Sequence, residues 1–195
     1  MSLRRVCVFC GSSPGLRPAY TEAARQLGES LVAREIELVY GGGNIGLMNV
    51  VAETVLQAGG RVTGVIPQGL ESREVAHRGL TELHVVSSMH ERKAMMVSLS
   101  DGFVSLPGGL GTFEETLEVM TWSQLGIHRK PCGLLNIEGF YDGLLAFLDH
   151  AVTEGFMQPE NKERLIVAED GTVLLDALAD FVPGPSEHWL DPEQI

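Results

Sequence analysis

Basic residues are scarce in this chain, with 14 lysines and arginines against 26 acids in 195 residues and a formal charge of −12. A field of that sign repels nucleic acid and anionic membrane, so neither is an expected partner and any phosphate ligand has to be captured locally. The three cysteines are too few and too scattered for a disulfide framework. Cys7 and Cys10 do spell C-x-x-C, but "VCVFC" reads as a buried strand whose residues three apart point to opposite faces, which suits packing and not redox or metal chemistry. No apolar run approaches the ~18 residues of a membrane span. The segment from Val6 to Cys10 behind Arg4 and Arg5 is too short for a signal-peptide core, so a cytoplasmic protein is expected. Also missing are G-x-x-x-x-G-K-[ST], a nucleophile elbow and the second histidine that would turn "HERKA" into H-E-x-x-H. No metal is expected, and His77, His90 and His128 read as surface or cap residues.

Apolar residues make up 44% of the chain and charged residues 21%, the composition of an ordinary globule. Short β-branched runs alternate with amphipathic segments of helical length, the pattern of βαβ units on a mainly parallel sheet with helices on both faces. Strands are expected at residues 6–10, 37–40, 61–66, 82–86, 102–106 and 133–137. Helices are expected at 19–34, 47–58, 89–99, 112–125, 141–154 and 172–181. One α/β domain over residues 1–182 and a Pro-rich acidic tail over 183–195 follow.

Three glycine-bearing turns follow three of those strands: "GSSPG" from Gly11, "GGGNIG" from Gly41 and "PGGLGT" from Pro107. Each alone permits a tight turn. Three at the carboxyl edge of one parallel sheet make a ligand cradle that includes Gly11, Ser12, Gly42, Gly43 and Pro107. "GGGNIG" also fits the dinucleotide fingerprint G-x-G-x-x-G, but the following strand, "VTGVIPQ", ends without the acid that would hold a ribose. A nicotinamide enzyme is therefore disfavoured.

In "PGGLGTFEE" the glycines admit a ligand to the backbone, and the first N–H groups of a helix beginning near Thr112 suit a phosphate. Glu114 or Glu115 would repel that phosphate, so one of them more reasonably faces a ribose. A competing reading makes Thr112 to Glu115 a T-x-x-E capping box that serves the helix alone. Farther upstream, in "MHERKAMMVSL", Arg92 falls within the stripe of Met89, Met96 and Leu99. An arginine there either snorkels or pairs internally, or it meets an anionic ligand.

Together "YGGGNIGLMN", "MHERKA", "PGGLGTFEE" and "TWSQLGIHRKPCGLLNIEGFYDGLL" resemble, in order and spacing, the Lonely Guy family of cytokinin riboside 5′-monophosphate phosphoribohydrolases, long labelled lysine decarboxylases. The resemblance spans about residues 6–155. It implies a modified Rossmann fold, a homodimer, and hydrolysis of the N-glycosidic bond of adenosine 5′-monophosphate or its N6-isopentenyl derivative, with no cofactor. Carried over by position, Gly108, Gly109, Gly111 and Thr112 form the phosphate loop, and Arg92 and Glu115 the catalytic pair. Glu74, Met89, Lys93 and Thr121 fall where family members contact the nucleotide. Asn49 departs from the family's usual glycine. The resemblance also leaves open a second reading, a non-enzymatic nucleotide or molybdenum-cofactor binder of the same fold. Lysine decarboxylation would need a lysine-bound pyridoxal group, for which no motif is present. Met95, Met96, Met120 and Trp122 read as packing more than as base specificity.

Overall fold

A computed structural model describes residues 3–71 and 76–184. In chain order the elements are β1 (Arg5–Phe9), α1 (Pro18–Ala33), β2 (Glu37–Tyr40), α2 (Gly46–Gln57), β3 (Val62–Pro67), α3 (Gln68–Glu71), β4 (Glu82–Val86) and α4 (Met89–Leu99). They continue with β5 (Gly102–Ser105), α5 (Leu110–Gln124), β6 (Cys132–Leu135), a 3₁₀ turn (Ile137–Gly139), α6 (Asp142–Thr153), α7 (Pro159–Glu163), β7 (Leu165–Ala168) and α8 (Gly171–Ala179). The seven strands lie in the order β4-β3-β2-β1-β5-β6-β7, and every pairing among them is parallel.

The six expected strands and six expected helices are all present to within two residues. The chain also contains α3, α7 and β7, which the sequence reading leaves as loop. β7 is four residues long, too short to stand out without its partner β6, which supplies its ladder. The structure of residues 72–75, which include Glu74, and of residues 185–195, most of the expected tail, lies outside the described residues.

Both faces of the inner strands are covered, while the edge strands β4 and β7 leave Val85 and Val167 exposed. Val6, Val8 and Cys10 of the first strand region pack with α1, α2 and α8 through Leu27, Val51 and Leu174. Cys7 and Phe9 pack on the opposite side with Met96, Val119 and Leu148 of α4, α5 and α6. The two cysteines thus enter different cores, as strand alternation requires, and all three thiols are buried and free. Burial of these apolar faces drives the assembly. It leaves the three glycine turns together at the strands' carboxyl ends.

Candidate active site

Strand order reverses at β1, which lies between β2 and β5. In a parallel sheet this is where the loops diverge and a crevice opens. Loop residues 11–15 and 107–109, with Tyr20, Leu47 and Phe140, line a cleft of about 290 Å³ here. A larger cleft of about 660 Å³ among Leu3, Arg5, Ile36 and Arg61 opens at the other edge, away from the glycine turns. The loops are tied to one another: Gly11 N–H donates to Pro107 O at 3.1 Å and Leu47 N–H to Gly11 O at 3.0 Å. Gly42 O accepts from His77 N–H, and Gly43 bridges to Ala76.

The helix behind the third turn starts at Leu110, with Gly109 as its N-cap and no side-chain cap. Thr112 therefore lies inside α5 and cannot cap it, which overturns the capping-box reading. The exposed first turn keeps backbone donors for an anion. A Cβ on Gly108 would stand 2.1 Å from Thr112 Oγ1, so only glycine lets the loop close over the threonine. Tyr141, itself buried, donates its hydroxyl to Leu106 O at 2.7 Å, just before the loop.

A variant of the capping box occurs at α4, with the Glu91 carboxylate reaching Ser87, one residue before the N-cap Ser88. Ser88 Oγ accepts from Glu91 N–H at 3.1 Å, and the Glu91 carboxylate accepts from Ser87 N–H and Oγ. Those Ser87 bonds hold the Glu91 carboxyl below its ordinary range. With the helix start set in this way, Arg92, Lys93, Met96 and Val97 form its buried face. Met89 instead is 40% exposed at the first turn, with its sulfur 3.9 Å from Arg92 Nη1.

Arg92 is 7% exposed and Glu115 9%. The guanidinium donates from Nε to Val65 O at 3.2 Å and from Nη2 to Gly41 O at 3.4 Å, the carboxyl ends of β3 and β2. Nη1 stands 3.7 Å from Glu115 Oε1, an ion pair beyond direct hydrogen-bond reach. Two carbonyls and one carboxylate thus hold the arginine that the helical wheel places on an apolar stripe. Snorkelling is excluded, because the head group lies inward.

The structure brings Arg92 and Glu115 together and gathers Gly11, Gly42, Gly43, Pro107, Gly108, Gly109, Gly111 and Thr112 at the same edge; Ser12 lies exposed on the first turn. Lys93 and Glu114 meet each other, with Lys93 Nζ 2.6 Å from Glu114 Oε1. Thr121 is exposed and gives its hydroxyl to Leu117 O, and it lies six residues from Glu115, about 240° around α5. Of the histidines read as surface or cap residues, His90 is exposed, whereas His77 and His128 are buried, each accepting at Nδ1 from a backbone N–H two residues on, of Gly79 and Lys130. Glu118 was missed by the sequence reading, although its place one turn after Glu114 puts it within reach of Lys93.

An all-parallel doubly wound sheet with an anion-ready helix start and a buried Arg–Glu pair at its switch point defines a Rossmann-like ligand-binding α/β protein. Residues 48–178 match the family model described as "Possible lysine decarboxylase". A probable cytokinin riboside 5′-monophosphate phosphoribohydrolase of Oryza sativa subsp. japonica is 55% identical over 180 residues, covering 92% of this chain and 79% of that protein. A cytokinin riboside 5′-monophosphate phosphoribohydrolase of Arabidopsis thaliana is 52% identical over 92% of this chain and 84% of its own length. This chain belongs to that family, the Lonely Guy phosphoribohydrolases. Among solved structures, the molybdenum cofactor binding protein of Rippkaea orientalis matches with a TM-score of 0.68 at 20% identity, covering 91% of this chain and 96% of that one. The molybdenum cofactor carrier protein of Chlamydomonas reinhardtii matches with 0.68 at 19%, covering 92% and 99%. At that identity the likeness concerns the fold alone.

Proposed function

We propose that this chain hydrolyses the N-glycosidic bond of a cytokinin riboside 5′-monophosphate, releasing the free base and ribose 5-phosphate. The buried Arg92–Glu115 pair beside the glycine loops carries the reading. A protein that only carried a nucleotide would gain nothing from burying that pair, whereas glycosidic cleavage develops positive charge on the sugar. The phosphate rests on the start of α5 at Gly108, Gly109, Gly111 and Thr112, which places the ribose toward Glu115. The Glu115 carboxylate stabilises the oxocarbenium-like sugar and orients water. The water oxygen bonds to the anomeric carbon as the bond to the base nitrogen breaks; the electron pair leaves on that nitrogen, and the proton that the water gives up ends on the departing base, so the products are the neutral base and ribose 5-phosphate. Arg92, 3.7 Å from the carboxylate, offsets its charge and steers the ribose phosphate. Met89 lies at the rim beside Arg92, and Gly11, Ser12, Gly42, Gly43 and Pro107 form the walls.

The family resemblance supports a homodimer, which light scattering on the purified protein tests. It also supports a cytoplasmic place, and no helix among the described residues is long and apolar enough to cross a membrane. The decisive assay is chromatography of free base released from AMP and from isopentenyladenosine 5′-monophosphate by wild type, Arg92→Ala and Glu115→Ala. Release that both substitutions abolish in folded protein supports the reading. No release by folded wild type sinks it.

A further inference from the structure

The cleft of about 660 Å³ at the amino ends of the strands holds a concentration of positive charge that the rest of the chain lacks. Of only 14 lysines and arginines, four line it: Arg4, Arg5, Arg34 and Arg61. In the parallel register Arg5 of β1 stands beside Glu37 of β2, and the pairing of Leu38 with Val62 puts Arg61 on the other flank of Glu37. The Glu37 side chain is 11% exposed, a depth at which a carboxylate needs partners. Its Oε1 accepts from the Thr63 hydroxyl at 2.6 Å, and its Oε2 lies 3.2 Å from Arg5 Nε and 3.8 Å from Arg61 Nε. One carboxylate thus orients two guanidinium groups through their Nε atoms and leaves their forks unspent. Among the described residues the Nη groups of Arg5 and Arg61 and the whole guanidinium of Arg4 have no hydrogen-bond or ion-pair partner. Asp101 takes the backbone N–H groups of Arg4 and Arg5, not their side chains. Arg34 is already committed to Asp176 and to Ser30 O.

We infer that this cleft is a second ligand site, built for a soluble phosphorylated metabolite. Arg4, Arg5 and Arg61 hold its phosphate groups, because a guanidinium fork meets phosphate oxygens two at a time. Leu3, Val32 and Ile36, which also line the cleft, receive an apolar or planar body. The volume lies within the range of small-molecule sites. Glu35 and Glu37 are the carboxylates of the lining, so the four arginines outnumber them. In a chain with a formal charge of −12, an anion meets a local field opposite to the overall one only at such a cluster. The inference does not depend on the hydrolase reading: the two clefts lie at opposite ends of the strands and share no lining residue.

The test is a titration of isotope-labelled protein with ATP, and separately with inorganic tripolyphosphate, followed through the backbone amide resonances at about 150 mM salt. Expected are saturable shifts at Ile36, Glu37, Gly59, Gly60 and Arg61, with an ATP dissociation constant below about 1 mM. Tripolyphosphate, which has no apolar body, should bind at least about threefold more weakly. The double substitution Arg4→Ala with Arg61→Ala should weaken ATP at these amides by at least about 10-fold. Both arginines are exposed, so thermal melts should show the variant folded. Its base release from AMP should stay at the wild-type level, and any shifts at Gly108 to Thr112 should persist, since neither arginine lies in that site. Shifts confined to residues 107–112, no saturation below about 10 mM, or unchanged affinity in the double variant would overturn the proposal. Equal affinity for tripolyphosphate would overturn the assignment of a metabolite with an apolar body. If the double variant does not fold, each single substitution decides it by the same criterion. Failure of wild type to release base would defeat the hydrolase reading and leave this site to be judged by its own amide shifts.

Discussion

Arg92 Nη1 and Glu115 Oε1 face each other at 3.7 Å across the gap between α4 and α5, with side chains 8% and 11% exposed. At that depth neither charge is tolerated without the other, because a lone buried ion keeps its full desolvation cost. Glu115→Gln retains the shape and removes the charge. Base release should fall about 100- to 1000-fold, in line with loss of one preorganised electrostatic group. Retention of wild-type kcat would remove Glu115 from the chemistry. Arg92→Lys lacks the planar fork that reaches Val65 O, Gly41 O and the carboxylate together, so its kcat should drop at least about 10-fold.

Gly41 is where the second turn meets this pair. A Cβ added there would lie 2.1 Å from Arg92 Nη2, and the next atom that it meets, Arg92 Cζ, is at 3.3 Å. Gly41→Ala should therefore push the guanidinium off its two carbonyls and abolish most of the activity, while circular dichroism still shows a folded α/β protein. Full activity in Gly41→Ala would mean that Arg92 is not held as described.

Tyr141→Phe removes the hydroxyl that donates to Leu106 O at 2.7 Å in a buried setting. Loss of one such bond, with the carbonyl left unpaired, costs about 1–3 kcal/mol. A melting-temperature drop of several degrees is expected, together with a raised KM, because residues 107–109 lose their support. An unchanged KM alongside the drop would confine Tyr141 to stability.

His128 gives a pH signature independent of catalysis. Burial first, then the Lys130 charge, lowers its pKa from 6.5 to about 4. The ring Nε2 is within 2.9 Å of Val119 O and Nδ1 accepts from Lys130 N–H, the pattern of a neutral imidazole. In the unfolded chain the imidazole binds its proton near pH 6.5, so between there and pH 4 the unfolded state holds more protons. Stability should be complete above about pH 6.5, decline as pH falls toward 4, and lose up to about 3 kcal/mol from this group. Denaturant melts of wild type and His128→Gln across pH 4–7 check it: the slope in that window should flatten in the variant.

The parallel doubly wound layout was legible because its signals are local. Near-continuous apolar strands such as "VCVFC" and "GFVSL" need cover on both faces, and helical spacing between them supplies it. β7 was not legible, since four residues carry too little pattern until β6 lies beside them. As a string "GTFEE" favours the cap over the ligand site. The choice depends on where α5 begins, and Gly109, not Thr112, is its cap.

The sequence by itself determined the alternation of strands and helices, the three glycine turns at one sheet edge, and the residue types able to hold a phosphate and a ribose, because propensity, periodicity and turn chemistry act over a few residues. Only the tertiary structure decided that Arg92 is buried against Glu115, that Gly41 must be bare to admit it, and that Lys93 is held by Glu114 and Glu118. Those partners lie 21 to 51 residues apart in the chain. No local pattern encodes such a pairing; it exists only once burial of the sheet's faces has pressed α4, α5 and the strand ends together.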